Sequence, residues 1–146
     1  MATAQDNYTS LVKNRITPLL RSEGFKGSSN NYMFTSTNCW GLVGVQRYRW
    51  SNQEIVRFTI NIAVVPRSDW EAARRGKGLP PREPRANAHS WPGQWWRIGS
   101  LLPEPKDTWW SVSGDEDWES VAHEVLSALT SWGLPAMWAL LRTCDT

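Results

Sequence analysis

Histidine and cysteine are scarce in this chain of 146 residues, with two of each. Metal sites are built from clustered His, Cys and carboxylate ligands, and neither His89 nor His123 has a second ligand at usable spacing. No metal and no other cofactor is expected. Cys39 and Cys144 stand more than a hundred residues apart, unlike the closely spaced cysteines of a small secreted scaffold. Two free buried thiols are the favoured reading, over one long-range bridge. The start, Met1 to Asp6, has no basic stretch followed by an apolar one, so it is not read as a secretory leader. No apolar run approaches the length that crosses a bilayer. A cytoplasmic chain without membrane contact is the expectation.

Signals of catalysis are equally thin. Gly76-Lys77-Gly78 is too short for a phosphate-binding loop and does not join a strand to a helix. Cys39 has no base near it in sequence, and a nucleophile needs one within reach. The acids Asp115, Glu116, Asp117 and Glu119 suit the first turn of a helix, where the dipole favours negative charge. The sequence leans away from an enzyme.

Tryptophan is what the chain has in excess: 11 residues, against 3 Tyr and 3 Phe. With 40% hydrophobic and 21% charged residues, the chain reads as one globular domain over 1–146. Its net charge of +2 hides a division. Residues 1–100 carry 14 Lys and Arg against 6 acids, whereas residues 101–146 carry 2 against 8. That asymmetry fits a fold whose acidic part covers its basic part, or a surface for nucleic acid.

Tyr8, Leu11, Val12, Ile16, Leu19 and Leu20 recur at helical spacing. Pro18 within that stripe predicts a kink, or a restart capped by Thr17. Gly24 ends the helix, and 27–31 reads as a loop. Alternation then predicts strands over 32–35, 40–50, 56–65, 94–101 and 108–112. An insert runs from about 66 to 93. In it Ser68 to Glu71 reads as a capping box opening a short helix through Arg75, and the remainder is rich in proline and arginine. A second box, Ser113 to Glu116, opens the helix whose stripe runs from Trp118 through Val125 and Leu129 to Trp132. Gly133 stops it, and Pro135 opens a last short helix. Helices at the two ends and strands in the middle make an α+β fold. The expected architecture is an antiparallel sheet of four to five strands, with the N-terminal and C-terminal helices on one face. The other face should carry Arg47, Arg49, Arg57 and Asn61, partly covered by the insert.

Several short motifs occur in a telling order. Pro18-x-Leu20 is followed by Gly24-Phe25, and Trp40 to Gln46 leads into Phe58 to Ile62. Arg97-Ile98-Gly99-x-Leu101 precedes Trp109-Trp110 and then Gly133-Leu134-Pro135. In this order they resemble the bacterial family named domain of unknown function 4304. The resemblance covers nearly the whole chain apart from the insert. It implies a small α+β domain and brings no catalytic residue with it.

Two regions are candidates for recognition, and the leading expectation is a non-catalytic binding domain. In the insert, Trp70, Arg74, Arg75 and Trp91 are the residue types of a protein-interface hot spot. They also resemble a platform that stacks on and neutralises single-stranded nucleic acid. A protein partner or a second copy of the chain is favoured, and nucleic acid ranks last. The insert's arginines have a plainer reading as partners of the acidic C-terminal helix. On the sheet, Gln46, Asn61 and Arg97 interrupt apolar rows. Walled by Trp95 and Trp110, they would form a polar spot in an apolar pocket, the character of a small-molecule site, or three groups that satisfy one another. Trp40, Trp50, Trp118, Trp132 and Trp138 are expected in core or sheet packing, which leaves the tryptophans between 66 and 112 for recognition.

Overall fold

A 12-residue strand, β4 (Ile55–Pro66), organises the sheet. Its alternation buries Val56, Phe58, Ile60, Ile62 and Val64 on one face, and Ala63 and Val65 on the other. One edge pairs antiparallel with β3 (Cys39–Arg47), from Arg47 opposite Phe58 to Cys39 opposite Pro66. The other edge is shared: β5 (Gln94–Arg97) takes residues 61–64 and β6 (Trp110–Ser113) takes residues 55–58. Beyond β3 lie β2 (Asn31–Thr35) and β1 (Lys26–Ser28), giving the order β1-β2-β3-β4-β5 with β6 also on β4. The structure, a computed structural model, describes residues 2–76, 78, 83–88, 92–115 and 117–146.

The α+β class and the antiparallel sheet are as expected, with six strands where four to five were anticipated. β1 lies in the segment read as a loop. Its turn chemistry is real, since Gly27 and Ser29 have φ of 119° and 63°, but it closes a tight hairpin in which Ser28 faces Asn31. β3 stops at Arg47 instead of reaching Trp50. There the chain turns, with Tyr48 N–H donating to the Arg57 carbonyl and Ser51 N–H to that of Tyr48. Trp50, expected in sheet packing, is 66% exposed. β5 is shortened by a 3₁₀ turn at Ile98–Leu101. It winds around Gly99, where a Cβ would lie 2.7 Å from the Thr108 amide.

The N-terminal helix comprises α1 (Ala4–Leu11), a π turn (Val12–Ile16) and α2 (Thr17–Ser22). Thr3 and Asp6 cap it reciprocally. The C-terminal helix repeats the pattern with α4 (Trp118–Ala128), a π turn (Leu129–Gly133) and α5 (Leu134–Cys144). Each π turn lies just before a proline, Pro18 or Pro135, whose missing N–H disturbs regular α pairing. Neither helix breaks. Thr17 is not a cap; its hydroxyl lies 2.6 Å from that of Tyr32. Gly133 is likewise no stop but sits against the sheet, where a Cβ would come 2.7 Å from Ile62 Cδ1. The extra residue in the π turn rotates Trp132 outward to 43% exposure, against the expectation that it is core. Asp117, and not Ser113, caps α4 by accepting the Glu119 N–H.

Two cores result. The larger joins the N- and C-terminal helices to one sheet face, burying Leu11, Ile16, Leu20, Leu129 and Met137 with Val43, Ile60 and Ile62. The smaller lies on the opposite face. There α3 (Arg67–Gly76) drives Trp70 into Leu42, Ala63, Val65 and Ala86. Arg57 and Asn61 are on that second face as expected, but Arg47 is not. It stands opposite Phe58, with its guanidinium 5.4 Å from the Tyr8 ring on the helix side. Arg49 lies beyond the end of β3.

Cys39 and Cys144 are bonded, with Cα atoms 6.3 Å apart. The expectation of two free thiols is corrected by the path of α5, which returns its end to the start of β3. Among the described residues no helix is long and apolar enough to cross a membrane.

Candidate functional site

The second sheet face is covered only in part. α3 and Ala86 pack over Leu42 and Ala63; past them come Gln46, Asn61 and Arg97. Asn61 is only 6% exposed, and the nitrogen of its side-chain amide has two partners. Asn61 Nδ2 donates to Gln46 Oε1 at 2.7 Å and to Asn87 Oδ1 at 2.8 Å, while Asn87 Nδ2 donates to the Val45 carbonyl at 3.1 Å. Gly44, opposite Asn61 in register, makes this arrangement fit. A Cβ at 44 would lie 2.8 Å from Asn87 Cγ and 3.1 Å from Ala86 Cβ. A cavity of about 310 Å³ adjoins the cluster, lined by Asn61, Ala86, Trp95, Trp96 and Arg97.

Gln46, Asn61, Trp95 and Arg97 are thus brought together as the alternation implied, with Asn61 and Arg97 facing each other across β4 and β5. Trp110 is not with them. It stands opposite Phe58, with ring centroids 5.8 Å apart, in the helix-side core. Trp109 lies beside Arg97 instead, outside the cavity lining. The Arg97 guanidinium lies 5.0 Å from the Trp109 ring, and Arg97 Nη1 bonds both oxygens of Asp107 at 3.2 Å. The indole N–H of Trp109 donates to Asp107 at 3.0 Å. That bond chiefly, with Arg97 adding to it, holds the Asp107 carboxyl below the usual carboxylate range. Arg57 extends the row, 5.1 Å from the Tyr48 ring and 6.0 Å from Trp109.

The insert behaves differently from expectation. Trp70 is 0% exposed, so in this structure it is core and no contact surface. Arg74 and Arg75 pair with Glu71 of their own helix at 2.9 and 3.3 Å. Trp91 lies outside the described residues, as do Lys77, Arg82 and His89. Asn87 is the residue that sequence reasoning missed, and Trp109, kept for recognition among the tryptophans between 66 and 112, was not placed beside Arg97. Nothing periodic surrounds Asn87; Trp109 could have been found by alternation, because Trp110 points into the core.

Gln46 and Asn87 also line a larger groove of about 810 Å³, between the N-terminal helix, the β1–β2 turn and the end of β3. Tyr8 belongs to its lining, and burial pushes its phenol up to about 12, so it is neutral at ordinary pH. Among the described residues no three His, Cys, Asp or Glu side chains are grouped to hold a metal ion.

Residues 16–138 match the family model Domain of unknown function (DUF4304). The chain belongs to that family. No curated protein and no solved structure matches it. The DUF4304 match begins in the first π turn and ends within α5. It therefore takes in the whole sheet, the cluster of Gln46, Asn61 and Asn87, and the Arg97–Asp107–Trp109 group.

Proposed function

We propose that this DUF4304 domain is a non-catalytic binding domain for a small flat molecule with a hydrogen-bonding edge, held at Asn61 beside Trp95, with Gln46 and Asn87 fixing the Asn61 amide. The observation that carries the reading is Asn61, a nearly buried amide that donates to two further amides next to a cavity. Ligand pockets pair apolar walls with a few fixed polar groups, and an amide held by two partners is fixed in orientation before any ligand arrives. The indoles supply the apolar wall.

Benzamide, a flat ring carrying one amide, is a simple probe. Titrated into the isotope-labelled chain, it is expected to shift the side-chain amide signals of Gln46, Asn61 and Asn87 and the indole signal of Trp95. Asn61→Leu should cost about 2 kcal/mol of stability, since it removes two part-buried hydrogen bonds at about 1 kcal/mol each, and should abolish those shifts. Shifts that persist in Asn61→Leu, or that never occur in the unaltered chain, would dismiss the proposal.

A second reading, a protein partner, draws on the row of Tyr48, Arg57, Trp109 and Arg97 on the sheet face. Aromatic rings and arginines are the residues that dominate binding energy at interfaces. It replaces the insert as the surface for such a partner, because Trp70 is buried. Arg57→Glu should then lose whichever proteins the unaltered chain retains from a native lysate. Equal recovery by both forms would remove this reading.

A further inference from the structure

The 810 Å³ groove carries an inference that goes beyond the amide cluster: it shares Gln46 and Asn87 with that cluster, but its apolar floor and charged rim are formed by other residues. Its floor is apolar, formed by Tyr8, Val12 and Val45, and its rim holds three cations, Lys13, Arg21 and Arg47. Among the described residues no aspartate or glutamate lines it. The ion pairs among the described residues belong to Arg74, Arg75 and Arg97, so the three rim cations have no carboxylate partner there. Lys13 and Arg21 project from one stripe of a continuous helix, eight residues apart, which separates their backbones by about 12 Å.

The walls are fixed before anything binds. The Thr17 and Tyr32 hydroxyls meet at 2.6 Å, Arg21 Nη2 donates to the Gly27 carbonyl at 3.2 Å, and Val45 N–H donates to the Asn30 carbonyl at 3.0 Å. These bonds tie the β1–β2 turn to the helix and to β3. Arg47 is held over the Tyr8 ring. A preorganised concavity of this volume is the size that encloses one small molecule, whereas a nucleic acid needs a track that continues along its backbone.

We propose that the groove binds a small organic anion, an apolar body carrying one phosphate or carboxylate head. The body would lie on Tyr8, Val12 and Val45, and the head would meet Lys13, Arg21 and Arg47, which supply charge-assisted hydrogen bonds.

Calorimetric titration of the full, disulfide-bonded chain with four probes tests this: 2-naphthyl phosphate, 2-naphthoate, 2-naphthol and orthophosphate. The two naphthyl anions are expected to bind, the phenol to bind at least about tenfold more weakly, and both anions to weaken as sodium chloride is raised. Lys13→Gln and Arg21→Gln should each weaken naphthyl phosphate about tenfold and leave naphthol unchanged. Thermal melts of both variants confirm that the fold is kept, and since neither residue belongs to a core, they decide the matter even if Arg47→Gln disturbs Tyr8. Tighter binding of naphthoate than of naphthyl phosphate would identify the head as a carboxylate, and the reverse order as a phosphate. Orthophosphate binding as tightly as naphthyl phosphate would remove the apolar floor from the proposal and overturn it. Equal binding of naphthol and the naphthyl anions, no binding of any probe, or unchanged binding by the glutamine variants would overturn it as well. Asn61 does not line the groove but its partners Gln46 and Asn87 do, so the two proposals are separated by Lys13→Gln and Arg21→Gln, which touch no member of the amide cluster and should leave the benzamide shifts unmoved.

Discussion

Replacing Cys39 and Cys144 together by serine is expected to lower the free energy of unfolding by about 4 kcal/mol. The bridge spans a sequence separation of 105 residues, and closing a loop of that size removes much of the unfolded chain's freedom, worth about 4–5 kcal/mol in the chain-entropy description. The loss should fall on the unfolded state more than on the folded one. The end of α5 has other anchors, because the Asp145 carboxylate accepts from the Ser36 hydroxyl and, at 2.9 Å, from the Asn38 N–H. Those same bonds hold its carboxyl below the usual range, the Ser36 hydroxyl contributing most. The folded variant should therefore keep its architecture while its urea midpoint drops. An unaltered chain treated with reductant should approach the variant's midpoint. A double-serine chain as stable as the original would show that the thiols are not joined in solution. Such bridges persist in oxidising surroundings.

Trp70→Ala is the second change with a large expected effect, about 3–5 kcal/mol for deleting a fully buried tryptophan. The second core is small: Trp70 is the largest of its buried side chains, beside Leu42, Ala63, Val65 and Ala86, with Met33, Trp40 and Trp95 packed against them only partly buried. The consequence should reach the candidate site. Ala86 belongs to that core and Asn87 follows it directly, so loosening one releases the other from Asn61. The expected result is a lower urea midpoint together with altered side-chain amide signals for Gln46 and Asn61. Trp70→Phe should lose less on both measures. If Trp70→Ala destabilised the chain and left those amide signals in place, Asn87 would be held by its bond to the Val45 carbonyl and not by the core beneath it.

The helical stripes, the strands and their alternation were legible in the sequence because each depends on neighbours three, four or two residues away. Alternation marked Gln46, Asn61 and Arg97 within their strands, and the strand register brings them together. It failed where a local irregularity shifts the count. The π turn at Leu129–Gly133 adds one residue, which sends Trp132 out and brings Gly133 in. The early end of β3 exposes Trp50. The resemblance drawn from motif order agrees with the family match over 16–138. What depended on distant partners was not legible. The bond between Cys39 and Cys144 and the reach of Asn87 to Asn61 are set by tertiary folding, and no local pattern announces either. Trp70 shows the converse error, since an amphipathic arginine-rich helix looks the same whether its single tryptophan faces a partner or the underside of the sheet.

The bridge also fixes a covalent topology. Residues 39–144 form a closed ring that holds β3 to β6, α3, α4 and α5, while the N-terminal helix, β1 and β2 hang from it on the backbone before Cys39. A single backbone cut anywhere inside the ring, the long insert included, opens it without dividing the molecule. Only a cut in the pendant part, or two in the ring, sets a fragment free.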